Sequence, residues 1–215
     1  MQSHRAFYSG SLMDEVSSCL VLMTVLVLSL TSCATVPSTN GSSLHNPAQR
    51  VFLVRHAERF TDSREDPPLT AEGKERAKAL ADMLRDAGVS AIITSQWIRA
   101  IDTAQLLADL LKITPEVIST VDPPHEYFKA TANAIRRMRN DTVLVVGHIT
   151  IPNIIAELGG PQLPTICESV FSDLFLLVPA LGWDGLTRLR YGAAENISPG
   201  CRNLPAFLRP DSNQR

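Results

Sequence analysis

Thr142-Val143-Leu144-Val145-Val146-Gly147-His148 is an apolar, largely β-branched run closed by Gly-His. A run without polar alternation predicts a strand buried on both faces, as in a parallel sheet covered by helices. Pro152 follows where the first turn of a helix tolerates it, and Gly159-Gly160 stands where that helix stops. The segment therefore reads as one strand-loop-helix unit.

The same pattern extends outward. Val51-Phe52-Leu53-Val54 is a second short apolar run that ends in charge, and Ala91 to Thr94 is a third. Ile113 to Val121, broken by Pro115, predicts a weaker strand. Thr70 is placed to cap a helix with an apolar face at Ala77, Leu80, Ala81 and Leu84, ended by Gly88. Trp97, Ile101, Ala104, Ala108 and Leu111 predict the inner stripe of the next helix; Phe128, Ala132, Ile135 and Met138 predict a third. Leu174 to Val178 and Leu186 to Tyr191, joined across Gly182 to Gly185, read as a closing strand pair. This order predicts the α/β class: a three-layer α/β/α sandwich on a mostly parallel sheet, which binds ligands beyond the C-terminal ends of its strands.

Composition fits one such domain. Of 215 residues 45% are hydrophobic and 20% charged, with 20 Lys and Arg against 22 Asp and Glu for a net charge of -2. That is too apolar and too neutral for disorder, and it offers no excess of cations for nucleic acid. The front of the chain differs. Cys19 to Leu30 is a mostly apolar run of 12 residues, the length of a secretory h-region, and it leads into Leu30-Thr31-Ser32-Cys33. L-T-S-C resembles the lipobox of bacterial lipoproteins. The resemblance implies a signal peptide over 1–32, lipid on Cys33, and a bacterial cell envelope location on the periplasmic or extracellular face. An uncleaved membrane anchor is the alternative. Residues 33–49 are polar and Pro/Gly/Ser-rich, a flexible tether; 50–192 form the domain and 193–215 a tail. Cys167 and Cys201 then remain, either as a disulfide or as two buried thiols.

Arg55-His56 ends the first strand, Arg99 follows the second, and His148 follows Gly147 after the strongest. The topology puts two imidazoles and two guanidiniums at one sheet edge. With R-H-A-E at Arg55 to Glu58, P-P-L-T-A-E-G at Pro67 to Gly73, S-x-x-x-R-A-x-x-T-A at Ser95 to Ala104 and V-V-G-H at Val145 to His148, the sequence resembles the histidine phosphatase superfamily, the phosphoglycerate mutase-like fold. The resemblance implies that His56 is phosphorylated and that Arg55, Arg99 and His148 bind the phosphoryl group. The chain departs from close relatives in G-H-I-T-I-P after the second His. Only 48 residues separate Arg99 from His148, without the long insertion of the mutases.

The residue types suit this chemistry. A neutral imidazole attacks a phosphomonoester dianion without charge repulsion, and guanidiniums hold phosphoryl oxygens with paired donors. His148 as imidazolium would complete the cradle. The expected substrates are a phosphorylated small molecule or a phosphohistidine protein. The scheme needs no metal or cofactor, and the sequence has neither H-E-x-x-H nor a Walker loop. For the general acid, Glu126 and Asp122 in V-D-P-P-H-E are the candidates, with Glu58 second. Asn196-Ile197-Ser198 matches a glycosylation sequon and reads as chance. The competing class is a lipid-anchored phosphate-binding module without turnover.

Overall fold

The computed structural model describes residues 49–120, 123–139, 141–195, 197 and 201. The apolar run Cys19–Leu30, Cys33, Asp122, and Asn196 and Ser198 of the sequon lie outside them. Among the described residues no helix is long and apolar enough to cross a membrane.

In chain order the elements are β1 (Arg50–Arg55), α1 (Ala71–Leu84), β2 (Ala91–Thr94), α2 (Ile98–Leu111), β3 (Glu116–Val117), α3 (Pro124–Arg137), β4 (Thr142–Gly147), α4 (Ile151–Glu157), β5 (Asp173–Leu177) and β6 (Leu186–Arg190), with a 3-10 segment Pro179–Gly185 between the last two strands. They form one sheet of order β3-β2-β4-β1-β5-β6. The first four of these strands pair in parallel, and β5 runs antiparallel to both β1 and β6. The expected three-layer, mostly parallel α/β fold is the fold found.

Strand pleating divides the core. Val51 and Leu53 of β1, with Val143 and Val145 of β4, pack with Tyr127, Phe128 and Ile135 of α3 and Ile151, Ile154 and Ile155 of α4. Phe52 and Val54, with Leu144 and Val146, pack on the opposite face against Leu80 and Leu84 of α1 and Ala104, Leu107 and Ala108 of α2. Alternate residues of β1 and β4 thus serve opposite layers, so neither strand has a polar face.

Two expectations need correction. The predicted strand over 113–121 shrinks to Glu116–Val117, because Pro115 denies the ladder a donor and only a short edge pairing with β2 survives. The buried face of α2 is Ala100, Thr103, Ala104, Leu107 and Ala108, so Ile101 and Leu111 lie at its margin. Leu106 and Leu110 are exposed, and a helix apolar on several sides does not declare its inner face.

Candidate active site

The local sequence explains how each motif is held. His56 N–H donates to the Gly147 carbonyl at 2.9 Å, which joins the C-terminal ends of β1 and β4 and sets the His56 and His148 rings 5.2 Å apart. Thr103 donates its hydroxyl to the Arg99 carbonyl at 2.7 Å and accepts from Ala57 N–H at 2.9 Å. The threonine of S-x-x-x-R-A-x-x-T-A therefore fastens the turn carrying Arg99 to the residue after His56. The P-P-L-T-A-E-G segment does similar work. Thr70 caps α1 through Gly73 N–H, and its own N–H donates to Glu58 O at 2.9 Å. A Cβ on Gly73 would lie 2.1 Å from that same carbonyl, so only glycine lets α1 approach the loop after His56.

His56 is buried at 1% exposure. Its Nδ1 lies 2.8 Å from the Ala57 carbonyl, which can only accept, so Nδ1 carries the proton and Nε2 a lone pair. Nε2 is buried with no hydrogen-bond partner. Burial, with smaller contributions from the charges of Arg55, His148 and Arg99, lowers the imidazole to a pKa of about 3. His148 is lowered to about 4, by burial first and then by Arg55 and Arg99, with Glu168 opposing. With these protein neighbours alone both rings are neutral near pH 7, and the imidazolium expected at His148 is a state of the cradle with a phosphoryl group in it.

Arg55 is almost wholly committed to the protein. Its Nη1 donates to the carbonyls of Cys167 (3.1 Å), Glu168 (2.7 Å) and Val170 (3.2 Å), its Nη2 to the Glu168 carboxylate (2.7 Å), and its guanidinium lies 4.1 Å from the Phe171 ring centroid. Nε, buried and unpartnered, is the donor left for a phosphoryl oxygen. The segment that wraps Arg55 is tied down by a Cys167–Cys201 disulfide, so of the two states open to these cysteines the paired one is found. Arg99 stands at the start of α2, with Nη1 3.3 Å from Asp66 Oδ1. The same carboxylate caps the helix by accepting from Ile98 N–H at 2.9 Å.

His56, Arg99 and His148 line a cavity of ≈ 220 Å³ together with Trp97, Thr120, Pro124, Tyr127 and Phe128 among others. Of the acid candidates, Asp122 lies outside the described residues, and neither Glu126 nor Glu58 lines the cavity. Glu126, on the first turn of α3, is half exposed and pairs with His125 and Lys129, while its neighbours Pro124 and Tyr127 face the cavity. Glu58 is held by Arg76, whose Nε lies 2.8 Å and Nη2 2.7 Å from its carboxylate. Among the described residues no three of His, Cys, Asp and Glu converge as a metal set. Sequence reasoning missed Glu168 and Phe171, which lie in no regular element and have no signature spacing. It also missed the working role of Thr103, whose only signal was its place in the quoted motif.

Residues 51–121 match the histidine phosphatase superfamily, branch 1. A 66-residue stretch is 39% identical to a probable phosphoglycerate mutase of Enterobacter sp. (strain 638), covering 28% of this chain and 31% of that protein. A stretch of the same length is 41% identical to the corresponding protein of Yersinia enterocolitica, with the same coverage. The chain thus spans about a third of the length of these relatives. Among solved structures, a mycobacterial glucosyl-3-phosphoglycerate phosphatase aligns with a TM-score of 0.50 at 14% identity, over 68% of this chain and 99% of that one, which is a likeness of fold. The matched segment contains Arg55, His56 and Arg99, and over it the chain is similar to the histidine phosphatase superfamily.

Proposed function

We propose that the protein is a metal-independent phosphatase that acts through a phosphohistidine at Nε2 of His56, on phosphomonoesters or phosphohistidine. The observation that carries this reading is the fixed tautomer of His56: Nδ1–H is spent on Ala57 O, and the Nε2 lone pair is buried without a partner beside His148. In the first step that lone pair forms an N–P bond as the P–O bond to the leaving group breaks, and the departing oxygen keeps the electron pair and takes a proton from water. In the second, water attacks phosphorus, the N–P pair returns to the ring, and the proton lost by water leaves with phosphate or solvent. Arg99 and Nε of Arg55 bind the equatorial oxygens, and His148 joins them once the phosphoryl charge raises its pKa.

The location follows the same reading. Lipid on Cys33 anchors the protein in a bacterial envelope, and a Cys167–Cys201 disulfide supports an oxidising compartment. A binding module without turnover is the competing reading; in its favour, Nη1 and Nη2 of Arg55 are already engaged. Rapid quench of the full-length protein with an aryl phosphate separates the two. Acid-labile phosphate should be trapped on His56, and His56→Ala should form none and turn nothing over while remaining folded. Phosphate binding without any phosphoenzyme in the wild type would establish the binding module instead.

A further inference from the structure

We infer that the cavity takes an aryl phosphate: a phosphoryl group on the oxygen of a single phenol-type ring, with the ring against Trp97 and Phe128. This narrows the phosphatase reading and rests on it.

Among the described residues the lining holds no Lys or Arg apart from Arg99, and no Asp or Glu. A substrate with a second anionic group, such as a phosphorylated acid, finds no second cation in that lining, and Arg59 acts on His148 and Arg99 only from beyond it. A substrate amine finds no carboxylate. What the lining offers beyond the phosphoryl end is flat and apolar: Trp97, Pro124, Tyr127 and Phe128. These surfaces are fixed by the protein. Trp97 Nε1–H donates to Thr120 Oγ1 at 3.2 Å, and Thr120 is itself held by Gln96 through Nε2 to Oγ1 (2.9 Å) and through its N–H to Oε1 (2.8 Å). The Arg99 guanidinium lies 4.8 Å from the Trp97 ring centroid, joining the aromatic wall to the phosphoryl end. Tyr127 and Phe128 meet edge to face at 5.9 Å. A preorganised aromatic wall binds a planar ring at little entropic cost.

Size and leaving-group chemistry agree. An apolar cavity of about 150 Å³ accepts a benzene, so ≈ 220 Å³ accommodates one ring joined to a phosphoryl group. Among the described residues no carboxylic acid lines the cavity to protonate a departing alkoxide or the far nitrogen of a phosphoimidazole, whereas a phenolate leaves with less help.

The test is calorimetric binding of phenylphosphonate and cyclohexylphosphonate to the full-length protein. Compared at a pH above the second ionisation of both, the two probes match in charge and ring size, are not hydrolysed, and differ in planarity and π-character. Phenylphosphonate should bind roughly tenfold more tightly, the value of two aromatic contacts of ordinary strength. Trp97→Leu and Phe128→Leu should each bring the ratio toward unity, and Trp97→Phe should restore it. Because the ratio is measured within each variant, partial loss of folded protein does not disturb it. Equal affinities in the wild type, a ratio unmoved in both leucine variants, or no binding of either probe would overturn the inference. Failure of the phosphatase reading looks different: the phenyl preference is present, but phenyl phosphate leaves no acid-labile phosphate on His56.

Discussion

His56 and His148 form a pair of neutral imidazoles whose pKa values, about 3 and about 4, lie below the ordinary 6.5. Their ring C–H resonances should therefore hold neutral-form shifts as the pH falls from 7 to 5. A midpoint near 6.5 for either would contradict the burial that lowers both. Two negative charges placed beside His148 favour its protonated form, so vanadate or phosphate binding near pH 7 should take up a proton. Calorimetry in buffers of different ionisation enthalpy reads that uptake directly, and His148→Gln should abolish it. Arg99, the cavity's cation, should cost about a hundred- to a thousandfold in kcat when replaced by alanine, the scale for removing one preorganised donor to developing charge.

At the scale of elements, the loop after β1 is clamped by α1 and α2, and the glycine of P-P-L-T-A-E-G is the tightest point. Gly→Ala within a helix ordinarily stabilises by about 1 kcal/mol. At Gly73 the sign should reverse, because the new Cβ would meet Glu58 backbone at 2.1 Å and α1 must move away. Urea unfolding should show Gly73→Ala destabilised by about 1–3 kcal/mol, with turnover falling as the His56 loop shifts; a stabilised Gly73→Ala would refute the clamp. Cys201→Ser should lower stability by about 2–4 kcal/mol, since the disulfide closes a separation of 34 residues. It should also lower kcat, because the Cys167 and Glu168 carbonyls hold Arg55. These elements differed in how far they could be read beforehand. The buried strands were legible because neither β1 nor β4 has a polar face, and Arg55, His56, Arg99 and His148 because each sits at or just beyond a strand end. The inner face of α2 was not, since Leu106, Leu107, Leu110 and Leu111 leave the period ambiguous and the buried Thr103 is polar. The engagement of Arg55 was hidden for another reason: its partners are main-chain carbonyls more than a hundred residues away, and carbonyls leave no mark in a sequence.

For the whole molecule, the same two histidines make stability depend on pH. Unfolded, they bind protons as pH falls through about 6.5; folded, they do so only near 4 and 3. Their contribution to stability is thus complete above 6.5 and is lost as pH falls from there toward 3. His56→Gln should flatten the urea midpoint between pH 6.5 and 4 relative to wild type. Cys33→Ser should move the protein out of the membrane fraction, as the lipid proposal requires, and an unchanged membrane-bound mass would favour an uncleaved anchor. β1 also sets a distance across the molecule. Arg50 begins the strand at one edge of the sheet and His56 follows its other end, six residues or about 20 Å further on. The domain therefore receives the chain at the rim of the sheet opposite His56.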